Sequence, residues 1–411
     1  MKAILLIMDG LGGRPTDMAG ATCLERARTP KLDQLAQRGA LGLMDPIAPG
    51  VRPGSDTSHL SIFGYDPFAA YTGRGAFEAL GMGMDVRGGD VALRANFATV
   101  EEHDGELVVV DRRAGRLDGK QLEEAVRQID ASDLGATAIF RASTEHRGAV
   151  VLRGANLCAD VSDTDPHEVG VPIAEAQPRA DSEAARHTAK IINAITARAH
   201  QALRDHPANH QRTAAGLPPG NALLLRGAAV MPHLRSVTAE YEIRGACVAG
   251  GALYKGVARA AGLEVVAVPG ATGDLHTDLR AKAHAALQAL EEHELVFIHV
   301  KGTDNAGHDG DADAKSAFIE RVDSELVGEL VGGLDWEQVH LAVSGDHTTS
   351  PTVGEHTGDP VPVLLVGPAV RPDRTRSFGE RAAGEGGLGR FSGRLLPQLL
   401  AYCDWGAKFG A

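Results

Sequence analysis

Cysteine is scarce in this sequence, and the few cysteines are not paired by spacing. Four occur in 411 residues: Cys23, Cys158, Cys247 and Cys403. They lie far apart, with no Cys-x-x-Cys motif and no small-domain framework. Free thiols in a reducing cytoplasm are therefore the simplest interpretation.

The sequence also lacks long apolar runs and an excess of positive charge. The apolar run at residues 3–8 stops at Asp9 and is too short for a membrane span or the core of a signal peptide. Lys and Arg number 41 against 54 Asp and Glu, for a formal charge of -13, which argues against a nucleic-acid partner or an anionic membrane surface. We expect a soluble, unexported, cytoplasmic protein in which any anionic substrate needs a local basic pocket.

Alternation of short apolar runs with helical patterns predicts an α/β fold. Because a chain of 411 residues exceeds the usual size of one core, two domains are expected. Residues 274–293 have apolar positions at helical spacing. The runs rich in Val, Ile and Leu, each followed by Gly or Asp, are KAILLIMDG, LEVVAVPG, ELVFIHVKG, VHLAVSGD and VPVLLVG. They predict buried strands of a mostly parallel sheet flanked by helices.

The middle third of the chain has a different pattern. VALRANFATV and GELVVVDRRAGR resemble antiparallel strands, GAVVLRG and NALLLRG are further strands, and residues 182–203 form one long helical pattern. This part is interpreted as an inserted, smaller α+β domain at residues 91–235. Residues 1–90 and 236–411 then form a discontinuous α/β domain.

Candidate metal ligands occur in four short motifs, each at a predicted strand end or in a Gly-rich loop, where an open α/β sheet gathers its chemistry. Any one motif is also typical of a solvated loop. Together they supply three carboxylates and three imidazoles, enough for two metal ions. The ligands are Asp9 after the first strand, Asp304 and His308 in DNAGH, Asp346 and His347 in GDH, and His356 in GEHTGD.

The ligand types indicate which metals and which reactions to expect. Mixed carboxylate and imidazole ligands suit Mn²⁺ or Zn²⁺, whereas Mg²⁺ prefers oxygen and Ca²⁺ needs more oxygens than are present. Two such ions at an open site commonly promote phosphoryl or related ester chemistry.

A candidate nucleophile lies in the segment RPGSDTSHLSIFGYDP. Ser55 follows a glycine and opens a helix-compatible run, so it is a candidate N-cap, and capping alone would explain it. Beside a divalent cation, however, a serine oxygen at a helix N-terminus can act as a nucleophile, and the helix dipole favours a transferred phosphate there. Ser58 and Ser61 are the competing nucleophiles.

In this order, Asp9, GSDTSHL, DNAGH, GDH and His356 resemble the archaeal-type branch of the cofactor-independent phosphoglycerate mutases, in the alkaline phosphatase superfamily. Further matching stretches span nearly the whole chain: MDGLGGRP, TPKLDQLAQRG, YTGRGAFEA, STEHRGAVVLRG, SDTDPHEVG, GGALYKGVARAAGL and GGLGRFSG.

The resemblance implies an alkaline-phosphatase-like metal domain interrupted by a smaller transferase domain, with the substrate held between them. It selects Ser55, four residues before His59, as the phosphorylated serine, and leaves His59 as a helix residue. It implies two divalent ions, with Mn²⁺ expected and Zn²⁺, Co²⁺ and Mg²⁺ as the other candidates, and no 2,3-bisphosphoglycerate. One ion would be bound by Asp304, His308 and His356, and the other by Asp9, Ser55, Asp346 and His347.

The implied reaction interconverts 3-phosphoglycerate and 2-phosphoglycerate in glycolysis and gluconeogenesis, with Ser55 taking the phosphate and returning it to the other hydroxyl. Asp165 and Asp163 in SDTDPH are the candidate bases for that hydroxyl. The expected substrate-binding residues are His146, Arg147, Arg226 and Lys255.

Two alternatives remain open at this point. One is a metal-dependent phosphohydrolase or phosphotransferase that acts on another small phosphorylated acid. The other is a non-catalytic metal-binding protein that retains the scaffold, although it would be expected to have lost its nucleophile or a ligand. The small-molecule substrate is the expected partner, and no oligomeric state follows from these residues.

Overall fold

The computed structural model describes residues 1–406, 408 and 410, and the chain divides into two compact units. The first unit comprises Met1–Tyr71 and Leu234–Ala411, and the second unit comprises Thr72–His233. The sequence predicted domain boundaries between residues 90 and 91 and between residues 235 and 236. By packing, residues 72–90 go with the second unit, because a helix in this segment contacts the sheet of that unit.

The fold contains strands of two to thirteen residues. They are β1 (Lys2–Met8), β2 (Ala40–Asp45), β3 (Val91–His103), β4 (Glu106–Asp111), β5 (Ala136–Ala142), β6 (Arg147–Gly154), β7 (Ala222–Val230), β8 (Gly245–Val248), β9 (Glu264–Val265), β10 (Leu295–Val300), β11 (Val339–Ser344), β12 (Thr348–Ser350), β13 (Glu355–Thr357), β14 (Val361–Val366) and β15 (Gly389–Ser392).

The α-helices range from single turns to one of 22 residues. They are α1 (Cys23–Arg26), α2 (Pro30–Ala36), α3 (Ser55–Ile62), α4 (Pro67–Ala70), α5 (Arg74–Gly81), α6 (Glu123–Arg127), α7 (Glu183–Arg204), α8 (Pro207–Ala214), α9 (Val237–Glu240), α10 (Ala252–Ala260), α11 (Leu279–Glu292), α12 (Gly302–His308), α13 (Ala312–Arg321), α14 (Gly328–Gly333), α15 (Glu380–Gly384) and α16 (Leu395–Tyr402). Short 3₁₀ turns lie at Ala114–Arg116, Gly119–Gln121 and Ser132–Leu134, and a π-helical segment at Val322–Val327 joins α13 to α14.

The first unit is built on an eight-stranded sheet with the order β15-β2-β14-β11-β1-β10-β8-β9. Only β14 runs antiparallel to its neighbours β11 and β2, and every other neighbouring pair is parallel. The predicted α/β fold with a mostly parallel sheet is confirmed. The segment LEVVAVPG contributes only the two-residue edge strand β9, shorter than its apolar run suggests.

The central strands of this sheet are buried along their whole length, which explains their continuous Val, Ile and Leu content. All six residues of β10, β11 and β14 are buried, as expected when helices cover both faces of a parallel sheet. Helix α11 packs Leu279, Ala283 and Leu290 into the same core as Val296 and Ile298 of β10. The sequence predicted this helix from residue 274, but it begins at Leu279, after Asp278 caps it by accepting a hydrogen bond from Ala281 N–H.

The second unit is α+β, with a five-stranded antiparallel sheet. The long strand β3 pairs with β4, β6 and β7, and β5 pairs with β6. The turn from β3 to β4 falls at Asp104 and Gly105, both with positive φ. Helix α7 begins after Ser182, whose Oγ accepts a hydrogen bond from Ala185 N–H, and its apolar stripe, including Ile192 and Ile195, packs into a core with residues of β3 and β7.

Hydropathy along the helices gives no candidate for a bilayer crossing. Within the described residues, none of the helices combines the length and the apolar content that such a crossing requires.

Candidate active site

Three carboxylates lie together because the strands that precede them are neighbours. Strands β11, β1 and β10 are adjacent and parallel, so their carboxyl ends meet at one edge of the sheet. Asp346 follows β11, Asp9 follows β1, and Asp304 lies in α12 directly after β10. All three are buried, with at most 2% of the residue exposed.

Ser55 is the first residue of α3, and Gly54 occupies the N-cap position. The expectation that Ser55 caps the helix is therefore wrong. Its Oγ instead lies 3.1 Å from Nε2 of His347. Ser55 is buried, with 6% exposed, so the hydroxyl group lies at a helix N-terminus and contacts a buried imidazole.

Four of the predicted ligands converge on one point, the Nε2 atom of His347. Ser55 Oγ lies 3.1 Å from it, and Oδ1 of Asp9 and Oδ2 of Asp346 each lie 3.3 Å from it. The backbone bends between β11 and β12, which lets the adjacent Asp346 and His347 face the same place. Gly10 N–H fixes Asp346 further by donating to its Oδ1 at 2.9 Å.

The remaining predicted ligands form a second group beside the first. Oδ1 of Asp304 lies 3.3 Å from Nε2 of His308 and 3.4 Å from Nε2 of His356. Each imidazole is oriented through its other nitrogen, since Nδ1 of His308 lies 2.9 Å from the Gly354 carbonyl oxygen and Nδ1 of His356 lies 2.9 Å from the Pro53 carbonyl oxygen.

The second unit contains its own charged cluster, with Asp165 at its centre. Arg112 donates two hydrogen bonds of 2.8 Å to the two oxygens of Asp165, and Nη1 of Arg226 lies 3.6 Å from Oδ2. Burial raises the pKa of Asp165, but the hydrogen bonds from Arg112 outweigh it and the net shift is downward. Asp165 is therefore a firmly ionised partner of two arginines.

Asp163 lies in the same loop but has different partners. Its Oδ1 accepts a 2.8 Å hydrogen bond from Gly227 N–H, and its Oδ2 lies 3.1 Å from Nε2 of His167. No arginine is paired with Asp163 among the residues that the structure describes. The two predicted bases are thus brought together but differ in environment.

Further arginines of the second unit surround Glu78. Arg74 donates to Glu78 at 3.0 Å, and Nε of Arg94 lies 3.6 Å from the same oxygen. Burial raises the pKa of Glu78, yet the charges of Arg74 and Arg94, with a smaller contribution from Arg147, bring it below its ordinary value. Burial lowers the pKa of Arg94 to about 10. Arg74, Arg94 and Arg112 were not predicted from the sequence, since a charged residue on a helix or strand is usually a solvated one.

His146 and Lys255, both predicted to bind substrate, are placed differently. His146 is buried in the second unit, its Nδ1 has no hydrogen-bond partner among the described residues, and burial lowers its pKa to about 4. Lys255 lies on α10 of the first unit, half-buried, and burial lowers its pKa. Lys255 makes no hydrogen bond or ion pair with the ligand groups within the described part of the chain.

Comparison with known proteins identifies the family. The family model for 2,3-bisphosphoglycerate-independent phosphoglycerate mutase matches residues 36–209. A relative of that name from Ignicoccus hospitalis is 51% identical over 100% of this chain and 99% of its own length. A solved structure from Pyrococcus horikoshii has a TM-score of 0.85 at 38% identity, covering 100% of this chain and 99% of that one. The cofactor-independent phosphoglycerate mutase from Thermoplasma acidophilum has a TM-score of 0.71 at 35% identity, covering 98% and 99%.

The chain belongs to the 2,3-bisphosphoglycerate-independent phosphoglycerate mutases. This family consists of isomerases of glycolysis, and membership implies dependence on divalent metal ions.

The side chains of the first unit fit such ions. Two groups have ligand atoms that all lie within 4.8 Å of one another: Asp304, His308 and His356 form one, and Asp9, Asp304 and His347 form the other. Oδ1 of Asp9 is buried and accepts no hydrogen bond from any residue that the structure describes. A buried carboxylate oxygen without a donor is costly unless a cation satisfies it.

Three residues that the sequence analysis missed hold Asp9 from the other side. The hydroxyl of Tyr254 donates to Oδ2 of Asp9, and Nε2 of His299 lies 3.2 Å from the same oxygen. The Tyr254 and His299 rings are stacked, with centroids 3.4 Å apart. Nζ of Lys301 lies 3.3 Å from Oδ2 of Asp9 and 2.6 Å from Oδ2 of Asp304. Lys301 directly follows β10 in HVKG, and a charged residue at a strand end was the sequence feature that could have indicated its role.

Mutual repulsion and burial give the Asp346 and Asp9 carboxylates unequal pKa values. Burial, followed by the charge of Asp9, raises the pKa of Asp346 to about 7. Burial also raises the pKa of Asp9, but the Lys301 charge, followed by the hydrogen bond with His299, outweighs it and holds the value well below the ordinary one. A divalent cation would relieve the repulsion between the two carboxylates.

Proposed function

We propose that this protein interconverts 3-phosphoglycerate and 2-phosphoglycerate in the cytoplasm, through a phosphoserine at Ser55 and without 2,3-bisphosphoglycerate. The observation that carries the proposal is the position of the Ser55 hydroxyl. It lies at the N-terminus of α3 and 3.1 Å from Nε2 of His347, where Asp9 and Asp346 also converge.

Two divalent ions, most suitably Mn²⁺, would be held by the carboxylate and imidazole groups. When bound, they supply positive charge to the transferring phosphate and to the attacking and leaving oxygens. The proposed ligands of one ion are Asp304, His308 and His356, and those of the other are Asp9, Ser55, Asp346 and His347.

In the first half-reaction, Oγ of Ser55 forms a bond to phosphorus while the bond from phosphorus to the 3-oxygen of the substrate breaks. The N-terminus of α3 favours negative charge at this place, because its first backbone N–H groups have no partner within the helix. The Lys301 ammonium group adds a further positive charge beside two of the proposed ligands, Asp9 and Asp304. The serine hydroxyl loses its proton and the 3-oxygen of the substrate gains one, so the products of this step are phosphoserine and glycerate.

In the second half-reaction, the 2-hydroxyl of glycerate loses a proton as its oxygen bonds to phosphorus, the bond from phosphorus to Oγ of Ser55 breaks, and the serine hydroxyl regains a proton. We assign this step to Asp163 rather than Asp165. Both oxygens of Asp165 are occupied by Arg112, and the pKa of Asp165 is lowered, so it is a weak base. Asp163 has one oxygen beside His167, an imidazole that could pass the proton onward.

The arginines of the second unit have the charge to bind the substrate carboxylate and phosphate. Arg226 is suited to this role because its Nε is buried and has no partner among the described residues. The Arg147 side chain is more exposed, and its charge contributes to the lowered pKa of Glu78. We assign substrate binding to Arg226, Arg147 and His146, and a contact with substrate charge to Lys255.

The deciding experiment is the conversion of 3-phosphoglycerate by the full-length protein with Mn²⁺ and no bisphosphoglycerate, resolving 2-phosphoglycerate from inorganic phosphate. Ser55→Ala is the test variant. Ser58→Ala and Ser61→Ala, on the same helix, are the matched variants for the competing nucleophiles. We expect 2-phosphoglycerate from the unsubstituted enzyme and from Ser61→Ala, and none from Ser55→Ala.

Other outcomes redirect the assignment. Inorganic phosphate as the main product would make the protein a phosphohydrolase. Loss of product with Ser58→Ala but not with Ser55→Ala would identify Ser58, one helical turn later, as the nucleophile. A phosphorylated peptide containing Ser55, trapped by acid quench and identified by mass spectrometry, would support the intermediate directly.

A further inference from the structure

Thr349, on the short strand β12, connects the two ligand groups through one hydroxyl. Its Oγ1 lies 2.8 Å from Oδ1 of Asp304 and 3.1 Å from Nδ1 of His347. Thr349 is fully buried, so the hydroxyl has no access to bulk water that could compete. One small side chain thus touches a proposed ligand of each ion.

The direction of the two hydrogen bonds follows from the number of protons. A hydroxyl has one proton to donate and lone pairs to accept with. The ionised carboxylate of a metal ligand only accepts, so the 2.8 Å contact is a hydrogen bond that Thr349 Oγ1 donates to Oδ1 of Asp304. Thr349 therefore donates to Asp304, and its lone pair faces Nδ1 of His347, which must be the donor.

We propose that Thr349 is a positioning residue that fixes the proton of neutral His347 on Nδ1 and so directs the lone pair of Nε2 toward Ser55, Asp9 and Asp346. This inference rests on the proposed function, which makes His347 a metal ligand. A metal-binding imidazole must present an unprotonated nitrogen, and the partner of its other nitrogen selects which one. Thr349 makes that selection before any ion arrives.

The surroundings of Thr349 hold it in this place. A Cβ atom on Gly10 would lie 2.6 Å from Thr349 Oγ1, and one on Gly307 would lie 2.7 Å from the Thr349 carbonyl oxygen. The buried Nζ of Lys315 donates to that same carbonyl oxygen and to the Gly12 carbonyl oxygen, both at 2.7 Å. The glycines of the MDG and DNAGH motifs thus leave room for Thr349, and Lys315 anchors its backbone.

The direct test reads the tautomer of His347 by ¹⁵N NMR in the full-length protein after chelation, at a pH where the imidazole is neutral. We expect a pyrrole-type signal for Nδ1 and a pyridine-type signal for Nε2. Thr349→Ser keeps the hydroxyl and should keep this pattern. Thr349→Val keeps the shape and lacks the hydroxyl, so it should shift His347 toward the other tautomer or a mixture.

A second readout is the affinity for Mn²⁺, measured by calorimetry. Loss of an outer hydrogen-bond partner of a metal ligand typically weakens metal binding roughly 10–100-fold, so we expect this loss in Thr349→Val and recovery in Thr349→Ser. The matched control is Thr348→Val, since the adjacent buried hydroxyl of Thr348 donates to the Asp359 carbonyl oxygen at 3.4 Å and, among the described residues, to no proposed ligand.

The outcomes separate this inference from the proposed function. A proton on Nε2 of His347 in the unsubstituted protein, or an unchanged tautomer and Mn²⁺ affinity in Thr349→Val, would overturn the role of Thr349. If Thr349→Val does not fold, the tautomer in the unsubstituted protein and in Thr349→Ser still decides. Failure of the mutase assay with the expected tautomer would reject the reaction and leave the role of Thr349 intact.

Discussion

Lys301 donates a 2.6 Å hydrogen bond from Nζ to Oδ2 of Asp304, and the same ammonium group lies 3.3 Å from Oδ2 of Asp9. Burial disfavours the charge of Lys301, yet the charge of Asp9 and that of Asp304 raise its pKa well above the ordinary value. One lysine therefore compensates the charges of two buried carboxylates.

Lys301→Met should destabilise the metal-free protein more than the metal-loaded one. Removing one partner of a buried ion pair costs roughly 3–5 kcal/mol because the remaining charge is uncompensated, whereas bound Mn²⁺ would supply the missing positive charge. The measurement is thermal unfolding with chelator and with saturating Mn²⁺, with Lys190→Met at an exposed position of α7 as control. Equal destabilisation in both conditions would contradict this account.

Asp163→Asn and Asp165→Asn should have different effects. A general base contributes roughly 10²–10⁴-fold to the rate, so Asp163→Asn should lower kcat by about that factor with little change in stability. Asp165→Asn leaves Arg112 and Arg226 without their charge partner, which should cost roughly 1–3 kcal/mol of stability and raise KM more than it lowers kcat. Steady-state kinetics and chemical unfolding of both variants check this, and the reverse ranking of kcat would make Asp165 the base.

The sequence was sufficient to predict residues whose position follows from strand order. Asp9, Asp304 and Asp346 follow three apolar runs, and carboxyl ends of parallel strands share one edge, so their proximity did not depend on side-chain detail. The resemblance in motif order then selected Ser55 over Ser58 and Ser61 and divided the ligands, His356 among them, between two ions.

Other residues could not be found this way because their roles depend on register and rotamer. Tyr254 contacts Asp9 from 245 positions along the chain, through a stack on His299 that no spacing encodes. Thr349 is one of several hydroxyl residues in HTTS, and only the fold shows which of them faces Asp304. Long-range pairing of this kind is fixed by packing rather than by local pattern.

Activity should fall on acidification because protons compete with the metal for imidazole nitrogen. The hydrogen bond with Asp304 raises the pKa of His308 to about 9, with burial opposing, so metal binding must displace a proton below that pH. Metal affinity should therefore fall as pH decreases from about 9 toward 6. Excess Mn²⁺ at moderately acidic pH should recover activity, with the same excess at pH about 8 as the control. Failure of excess metal to recover any activity would show that another group limits the rate.

The ion pair of Arg244 and Glu294 should make stability depend on pH. The two residues directly precede β8 and β10, at the strand ends opposite those that the ligands follow. Arg244 donates from Nη2 to one oxygen of Glu294 and from its backbone N–H to the other, both at 2.8 Å. The hydrogen bond from the Arg244 side chain lowers the pKa of Glu294 to about 2, although burial opposes the shift.

The pKa of Glu294 is lower in the folded state than in the unfolded state. The ionised carboxylate therefore stabilises the fold at pH values above the unfolded-state pKa of 4.5, and this stabilisation is lost as pH falls from there toward 2. Both side chains are partly exposed, so the contribution at pH 7 should be about 1 kcal/mol or less. Glu294→Gln should accordingly lower the urea midpoint slightly at pH 7, and the difference from the unsubstituted protein should shrink at pH 4 and below. Arg186→Gln, which removes the exposed pair with Asp181, is the matched control. A difference that stays constant from pH 7 to pH 3 would mean that Glu294 stabilises the fold through packing rather than charge.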